Sequence, residues 1–263
     1  MARNSLKNVM RLIETTKETL PPETDFLNDL KRSIELDADK ESRLPSKTYK
    51  PSGMNCIRAS YYQVAGIQPD VSSSSYTLVG ICNSGSDIHI RIQTAVDNMK
   101  NNGMDCEYID VADFVKQRNL DYLDIVAKSG METKLYHKDL NMSFLCDGII
   151  KYNNHYYILE LKTESSYKFM NRKSVDESHY HQATAYSIAF GIDEVLFVYI
   201  NRDMLDMKAF MFKPTDEMKQ DLIGYIDECD GYVKRLIAPP KPENVAKKTC
   251  SYCIYKTQCG KDG

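Results

Sequence analysis

The chain has 263 residues, 42% hydrophobic and 27% charged, the make-up of a globular protein long enough to bury one large core or a core with an appendage. Its formal net charge of −3 gives a polyanion no global attraction, so any nucleic-acid contact must use a local basic surface. No run of about 18 apolar residues occurs, which excludes a membrane-spanning helix, and no apolar stretch of the secretory kind stands at the N-terminus; the chain is expected to be cytoplasmic, with its eight cysteines as thiols or metal ligands rather than disulfides.

Residues 1–45 are polar with amphipathic patches, first Val9, Leu12 and Ile13, then Phe26, Leu27, Leu30 and Ile34, broken by Pro21 and Pro22. Two short helices are expected there, with no assigned chemistry. Pro51, Ser52 and Gly53 read as a turn feeding a short helix, with Cys56 near its start, and Ser72 to Ser75 as a polar loop. Gly80 to Gly103 predicts a helix with Ser84 and Asp87 at capping-box spacing and a buried stripe of Ile88, Ile92, Ala95, Val96 and Met99. His89 lies beside that stripe, where a lone histidine is ordinarily a core or surface residue rather than a ligand.

Asp105 to Gly130 is weakly periodic, a strand followed by a helix. Met131 to Leu140 predicts a further strand, with Glu132 and Lys134 on one face. Asn141 to Thr163 then reads as a hairpin about Asn153 and Asn154, since Asn tolerates the left-handed backbone of a two-residue turn. If Tyr152 faces His155, paired positions sum to 307, and Asp147 falls opposite Glu160 with their Cβ atoms about 5 Å apart. Period-two alternation puts Lys162 on the Glu160 face and turns Leu159 and Leu161 into a core.

Two opposed carboxylates in a sheet repel, so this pairing calls for a cation. Carboxylate oxygens suit Mg²⁺ or Mn²⁺, and such an ion beside a lysine is the equipment of phosphodiester hydrolysis. Glu160, Leu161 and Lys162 taken alone read more readily as an exposed stretch of edge strand; the Asp at the matching register reverses that and favours the site.

Glu164 to Glu177 reads as a polar loop whose Lys168, Arg172 and Lys173 are placed to meet phosphates, or are a solvated charge run. Ser178 to Phe190 predicts a helix ended by Gly191, with Gln182 and Tyr186 on one face. Glu194 to Ile200 and Met207 to Phe212 predict buried strands. Thr215 caps a long helix with Asp216 and Glu217 in its first turn and Lys234 and Arg235 in its last, stopped by Pro239 and Pro240. The order suggests an α/β fold, a mixed central sheet flanked by helices.

The tail carries Cys250, Cys253 and Cys259, with two and then five residues between successive thiols. Zinc and a cuboidal iron–sulfur cluster each want four ligands, and Cys56 is the best fourth by context; spacing alone suits either metal. Cys82, Cys106, Cys146 and Cys229 are expected to be buried free thiols.

Taken in order, Cys56, Arg58, Tyr61 and Tyr62, then His89, Asp147, Glu160 with Lys162, Gln182 with Tyr186, and Cys250, Cys253 and Cys259 resemble the iron–sulfur branch of the RecB-like PD-(D/E)XK nucleases. That branch includes the CRISPR adaptation exonucleases and AddB-type nuclease domains. The resemblance covers about residues 50 to 260. It implies a PD-(D/E)XK nuclease core, with a cysteine-ligated cluster joining N- and C-terminal segments. Residues 1–45 fall outside the resemblance, and the expected divisions are a helical segment over 1–45, a nuclease domain over 46–238 and a Cys-rich tail over 239–263.

In roles, the resemblance implies Asp147, Glu160 and Lys162 as catalytic residues, and Mg²⁺ or Mn²⁺ held by His89, Asp147, Glu160 and the Leu161 backbone carbonyl. It implies a [4Fe–4S] cluster on Cys56, Cys250, Cys253 and Cys259, and DNA, single-stranded or with single-stranded ends, along Gln182 and Tyr186. The expected activity is a DNA exonuclease of recombination, repair, phage DNA metabolism or CRISPR adaptation, with helicase, recombination or CRISPR adaptation proteins as partners. A structure-selective endonuclease and a non-cleaving DNA- or protein-binding module on a degenerate nuclease fold are the alternatives.

Overall fold

The computed structural model describes residues 21–40, 46–70, 75–243, 245 and 247–262. The expected helix about Val9, Leu12 and Ile13 and residues Ser72, Ser73 and Ser74 of the polar tract lie outside the described residues. The chain divides into two compact units, Met1–Ser42 with Ser73–Gly80, and Arg43–Ser72 with Ile81–Gly263.

In the smaller unit, helix α1 (Pro22–Lys40) opens with Glu23 and Asp25 in its first turn, where acids favour the helix dipole. Its Phe26, Leu27, Leu30 and Leu36 are exposed. The Tyr76 amide donates to Glu35 Oε1 at 3.0 Å.

The larger unit begins with a bridge from Tyr49 to Met142 and helix α2 (Ile57–Val64), whose N-cap is Cys56. Helix α3 spans Tyr76–Asp97. The capping box expected at Ser84 and Asp87 is therefore in mid-helix, and the spacing was coincidental. Ile88 and Gln93 are buried on it, while Ala95 and the thiol-bearing Cys82, both expected inside, are exposed. After β1 (Cys106–Ile109) comes α4 (Val111–Gln117), capped by Asp110, whose carboxylate accepts from the Ala112 and Asp113 amides.

Strands β2 (Leu123–Ser129), β3 (Glu132–His137) and β4 (Met142–Cys146) form a three-stranded antiparallel sheet; the second strand of the weakly periodic stretch was not expected. Strands β5 (Gly148–Tyr152), β6 (His155–Glu164), β7 (Val195–Asn201) and β8 (Met207–Phe212) join β1 in a five-stranded sheet ordered β1-β5-β6-β7-β8. That sheet is mixed, because β6 and β7 run parallel and the other pairs antiparallel. The stretch expected as one hairpin arm is thus split between two sheets, and Asp147 is the residue at the split.

The turn of the β5–β6 hairpin has Asn153 and Asn154 at φ 47° and 65°, the left-handed pair that suits the twist of the strands. Tyr152 pairs with His155 and Gly148 with Leu159.

Alternation along β6 and β7 separates two cores. Ile158, Phe197 and Tyr199 pack with Tyr62, Ala183 and Tyr186 on one side, while Leu159, Leu161 and Ile200 pack with Ile88 of α3 on the other. Fully burying each such side chain contributes about 1.5–3 kcal/mol.

The segment expected as a polar loop holds helix α5 (Ser166–Asn171), and a 3-10 turn (Glu177–His179) leads into α6 (Tyr180–Phe190), closed by Gly191 at φ 62°. Helix α7 (Asp216–Arg235) is capped by Thr215, whose side chain accepts from the Met218 amide at 3.2 Å. It ends at Leu236 in the left-handed conformation, before the prolines are reached. Short helices α8 (Lys247–Ser251) and α9 (Lys256–Lys261) carry the cysteine tail. No described helix is long and apolar enough to cross a membrane.

Candidate active site

The site is built on the backbone break between the two sheets. Cys146 pairs with Thr133 in one sheet and Gly148 with Leu159 in the other, so extending both ladders by one residue places Asp147 between Glu132 and Glu160. Glu132 of β3, Asp147 at the break and Glu160 of β6 form one row. Asp147 is held by both halves of its peptide chemistry. Its carbonyl accepts from Gln93 Nε2 at 2.7 Å and from the Tyr108 hydroxyl at 2.9 Å, and its Oδ2 accepts from the Leu161 amide at 2.7 Å. The Tyr108 ring lies so close that a Cβ at Gly148 would stand 2.5 Å from it, which is why glycine follows the aspartate.

His89 approaches from α3. Its Nδ1 is 3.3 Å from Asp147 Oδ1 and 3.7 Å from Glu132 Oε1. Among the described residues, His89, Glu132 and Asp147 are the one trio of potential ligands whose donor atoms all lie within 4.8 Å of one another. Burial pulls the His89 pKa down, but the two carboxylates more than offset this and raise it to about 9. The trio therefore favours a positive charge among its oxygens, and an imidazole with two carboxylates is a donor set suited to a divalent ion.

Glu160 is 3% exposed. Burial lifts its carboxyl to about 7 against the pull of the Lys162 ammonium, with Asp147 adding to the lift. Its Oε1 accepts from Lys162 Nζ at 2.6 Å and from Gln182 Nε2 at 2.7 Å. Its Oε2 has no hydrogen-bond partner among the described residues. A buried carboxylate oxygen without a partner is costly, and a bound cation is the usual remedy. The residues present thus fit a hard divalent ion, with His89, Glu132 and Asp147 as gathered ligands and Glu160 Oε2 as a further available oxygen.

Gln182 saturates its amide inside this cluster. Besides donating to Glu160, it accepts from Lys162 Nζ at 2.8 Å and donates to the Tyr186 hydroxyl at 2.7 Å, and that hydroxyl donates to the Leu145 carbonyl. Gln182 and Tyr186, expected along DNA, are 7% and 1% exposed. They brace Glu160 and Lys162 from behind.

Arg172 departs from expectation in the same way. Its guanidinium bonds Glu164, pairs with Asp176 at 2.9 Å and stacks 4.5 Å from the Tyr199 ring centroid, leaving the side chain 11% exposed. It is a structural cation, whereas Lys168 and Lys173 are exposed.

Glu132 was overlooked as a ligand. The available signal was the Lys138–Asn141 turn, which sets the β3–β4 register and places Glu132 opposite Asp147. Cys56, Cys250, Cys253 and Cys259 line one cavity. Cys253 has its thiol pKa raised by burial and by the other three sulfurs.

No protein-family profile matches the chain, and no curated protein matches it. Among solved structures, the chain is similar to one described as the crystal structure of SSO0001, at 16% identity over 89% of this chain and 96% of that one, with a TM-score of 0.46. It is also similar to LHK-Exo in complex with dAMP, at 9% identity over 73% and 92% of the two chains, with a TM-score of 0.37. The alkaline exonuclease LHK-Exo from Laribacter hongkongensis matches over the same shares at 9% identity, with a TM-score of 0.36.

Proposed function

We propose that the chain is a divalent-metal-dependent deoxyribonuclease of the PD-(D/E)XK type that hydrolyses phosphodiester bonds from single-stranded DNA ends. The observation that carries this reading is the row Glu132, Asp147 and Glu160, closed by His89 on one side and Lys162 on the other. A bound Mg²⁺ or Mn²⁺ supplies a water of lowered pKa and polarises the phosphoryl oxygens. Asp147, Glu132 and His89 would hold it, with the orphaned Glu160 oxygen as a further ligand. Gln182 and Glu160 hold the Lys162 ammonium at the edge of this row. There it orients the attacking water and offsets negative charge gathering on the phosphoryl group. Water oxygen bonds to phosphorus as the ester P–O bond breaks; the attacking water gives up a proton to solvent, and the leaving oxygen takes one from solvent.

A second group, a [4Fe–4S] cluster, belongs to this reading through Cys56, Cys250, Cys253 and Cys259. The four thiols line one cavity, and a cuboidal cluster, like structural zinc, takes four such ligands. The pathway in this reading is recombination, repair, phage DNA metabolism or CRISPR adaptation, alongside a helicase or an adaptation protein that supplies the ends.

The test is incubation with end-labelled linear and covalently closed single strands, in Mg²⁺ or Mn²⁺ and in chelator. Loss of the linear strand with metal alone is expected. Cutting of the circle makes the protein an endonuclease, and binding without cleavage in either metal makes it a non-cleaving module.

A further inference from the structure

A cavity that the hydrolytic site does not use lies beside the cysteines. It is an open cavity of about 1070 Å³ between the α2 segment, the α5–α6 connection and the C-terminal tail. Pockets of about 300–1,000 Å³ bury whole drug-sized molecules, so an eight-atom cluster fills only part of this space.

Its walls are basic in a chain of net charge −3. Lys50, Arg58, Lys168, Lys241 and Lys256 line it against the single carboxylate of Asp176. That carboxylate is already neutralised by Arg172 at 2.9 Å. Lys168, Lys241 and Lys256 are exposed and make no ion pair with any described residue. Tyr252, 80% exposed, stands in the same lining.

Two of its lining residues, Lys168 and Ser178, adjoin the elements that carry the catalytic side chains. Lys168 follows β6, the strand of Glu160 and Lys162, and Ser178 precedes His179, whose proton affinity both Lys162 and Lys168 depress.

Resting on the nuclease reading above, we propose that this cavity is the channel through which a single strand of DNA reaches the metal site. Lys168, Lys241 and Lys256 meet successive phosphates and Tyr252 stacks on a base. A cationic groove with an exposed aromatic ring is the recognition chemistry of single strands, because an unpaired base offers its face and a paired one does not.

The test is polarisation of labelled oligothymidylates in Ca²⁺, titrated with salt, for the wild type, Lys241→Ala/Lys256→Ala, Lys241→Arg/Lys256→Arg and Tyr252→Ala. Loss of two phosphate contacts reduces the salt slope by about 1.4 and weakens binding on the order of twentyfold at 0.1 M salt. The arginine pair retains the wild-type slope, which separates lost charge from damaged folding. Tyr252→Ala weakens binding with the slope unchanged. A blunt duplex binds more weakly than the single strand.

An unaltered slope in the alanine pair, or equal affinity for duplex, overturns the channel. If the wild type cleaves DNA while the alanine pair binds like wild type, the channel alone falls. If the wild type neither binds nor cleaves DNA, the nuclease reading falls and the channel with it.

Discussion

Asp147 serves two sheets at once, and its surroundings divide the labour between chemistry and placement. Glu160→Gln keeps the shape and the Gln182 contact but removes the charge, so cleavage should fall at least about a thousandfold while the melting temperature holds, read by single-turnover kinetics and thermal denaturation. Glu132→Ala should instead weaken metal affinity, with activity recovered at high Mn²⁺ in a metal titration, since water can take a lost ligand position. Gly148→Ala presses a methyl group into the Tyr108 ring 2.5 Å away, a crowding that costs about 1–3 kcal/mol and loosens the carbonyl contact holding Asp147. At this scale the opposition of Asp147 and Glu160 was legible, because two left-handed asparagines fix a register by themselves. Glu132 was not read, because its register depends on a four-residue turn whose conformation the sequence specifies weakly, and because its strand belongs to the other sheet.

The elements after β6 show why a basic run need not be a binding surface. Arg172 answers Glu164, which lies at the end of β6 and is 6% exposed, so Arg172→Ala strands a buried carboxylate. The expected loss is about 3–5 kcal/mol, measured by denaturant unfolding, whereas Lys173→Ala should leave stability unchanged. His179 adds a pH dependence to the same connection. Its Nδ1 lies 2.9 Å from the Tyr199 hydroxyl, and burial with the Lys162 charge lowers its pKa to about 4. A histidine with a depressed folded pKa binds its proton more readily when unfolded, so its contribution is complete above about 6.5 and is lost as pH falls from there towards 4. Unfolding across this window should show an acid loss on the order of 2 kcal/mol that His179→Gln removes. Helix ends set by local chemistry, such as the Thr215 cap and the Gly191 turn, were readable from sequence. The start of α3 was not, since Ser84 and Asp87 satisfy a capping pattern inside a helix that continues through them.

On the scale of the whole unit, hydrogen bonds tie the chain before the sheets to the chain after them. The Tyr62 hydroxyl donates to Asp262 at 2.6 Å, the Asp70 amide donates to the Ile254 carbonyl at 2.6 Å, and the Asp70 carboxylate accepts from the Thr257 amide at 2.8 Å. Tyr49 likewise donates to Asp230 at 2.6 Å. Such long-range pairing leaves no mark in local sequence, whereas the cysteine spacing does, which is why the tail was read through Cys250, Cys253 and Cys259 alone. A cluster on these and Cys56 adds a covalent closure to a junction that already exists. The closure of so long a loop contributes about 5 kcal/mol in the chain-entropy account. Cys253→Ala should therefore remain folded through its hydrogen-bonded ties, yet melt at least about 10 °C lower than wild type, because each kcal/mol shifts a chain of this size by about 2–4 °C. Anaerobically purified wild type should be brown, with iron and sulfide in near-equal amounts, and the variant colourless. Zinc in place of iron after anaerobic purification, or a variant with the wild-type melting temperature, would remove the cluster from the reading while leaving the Asp147 site as it stands.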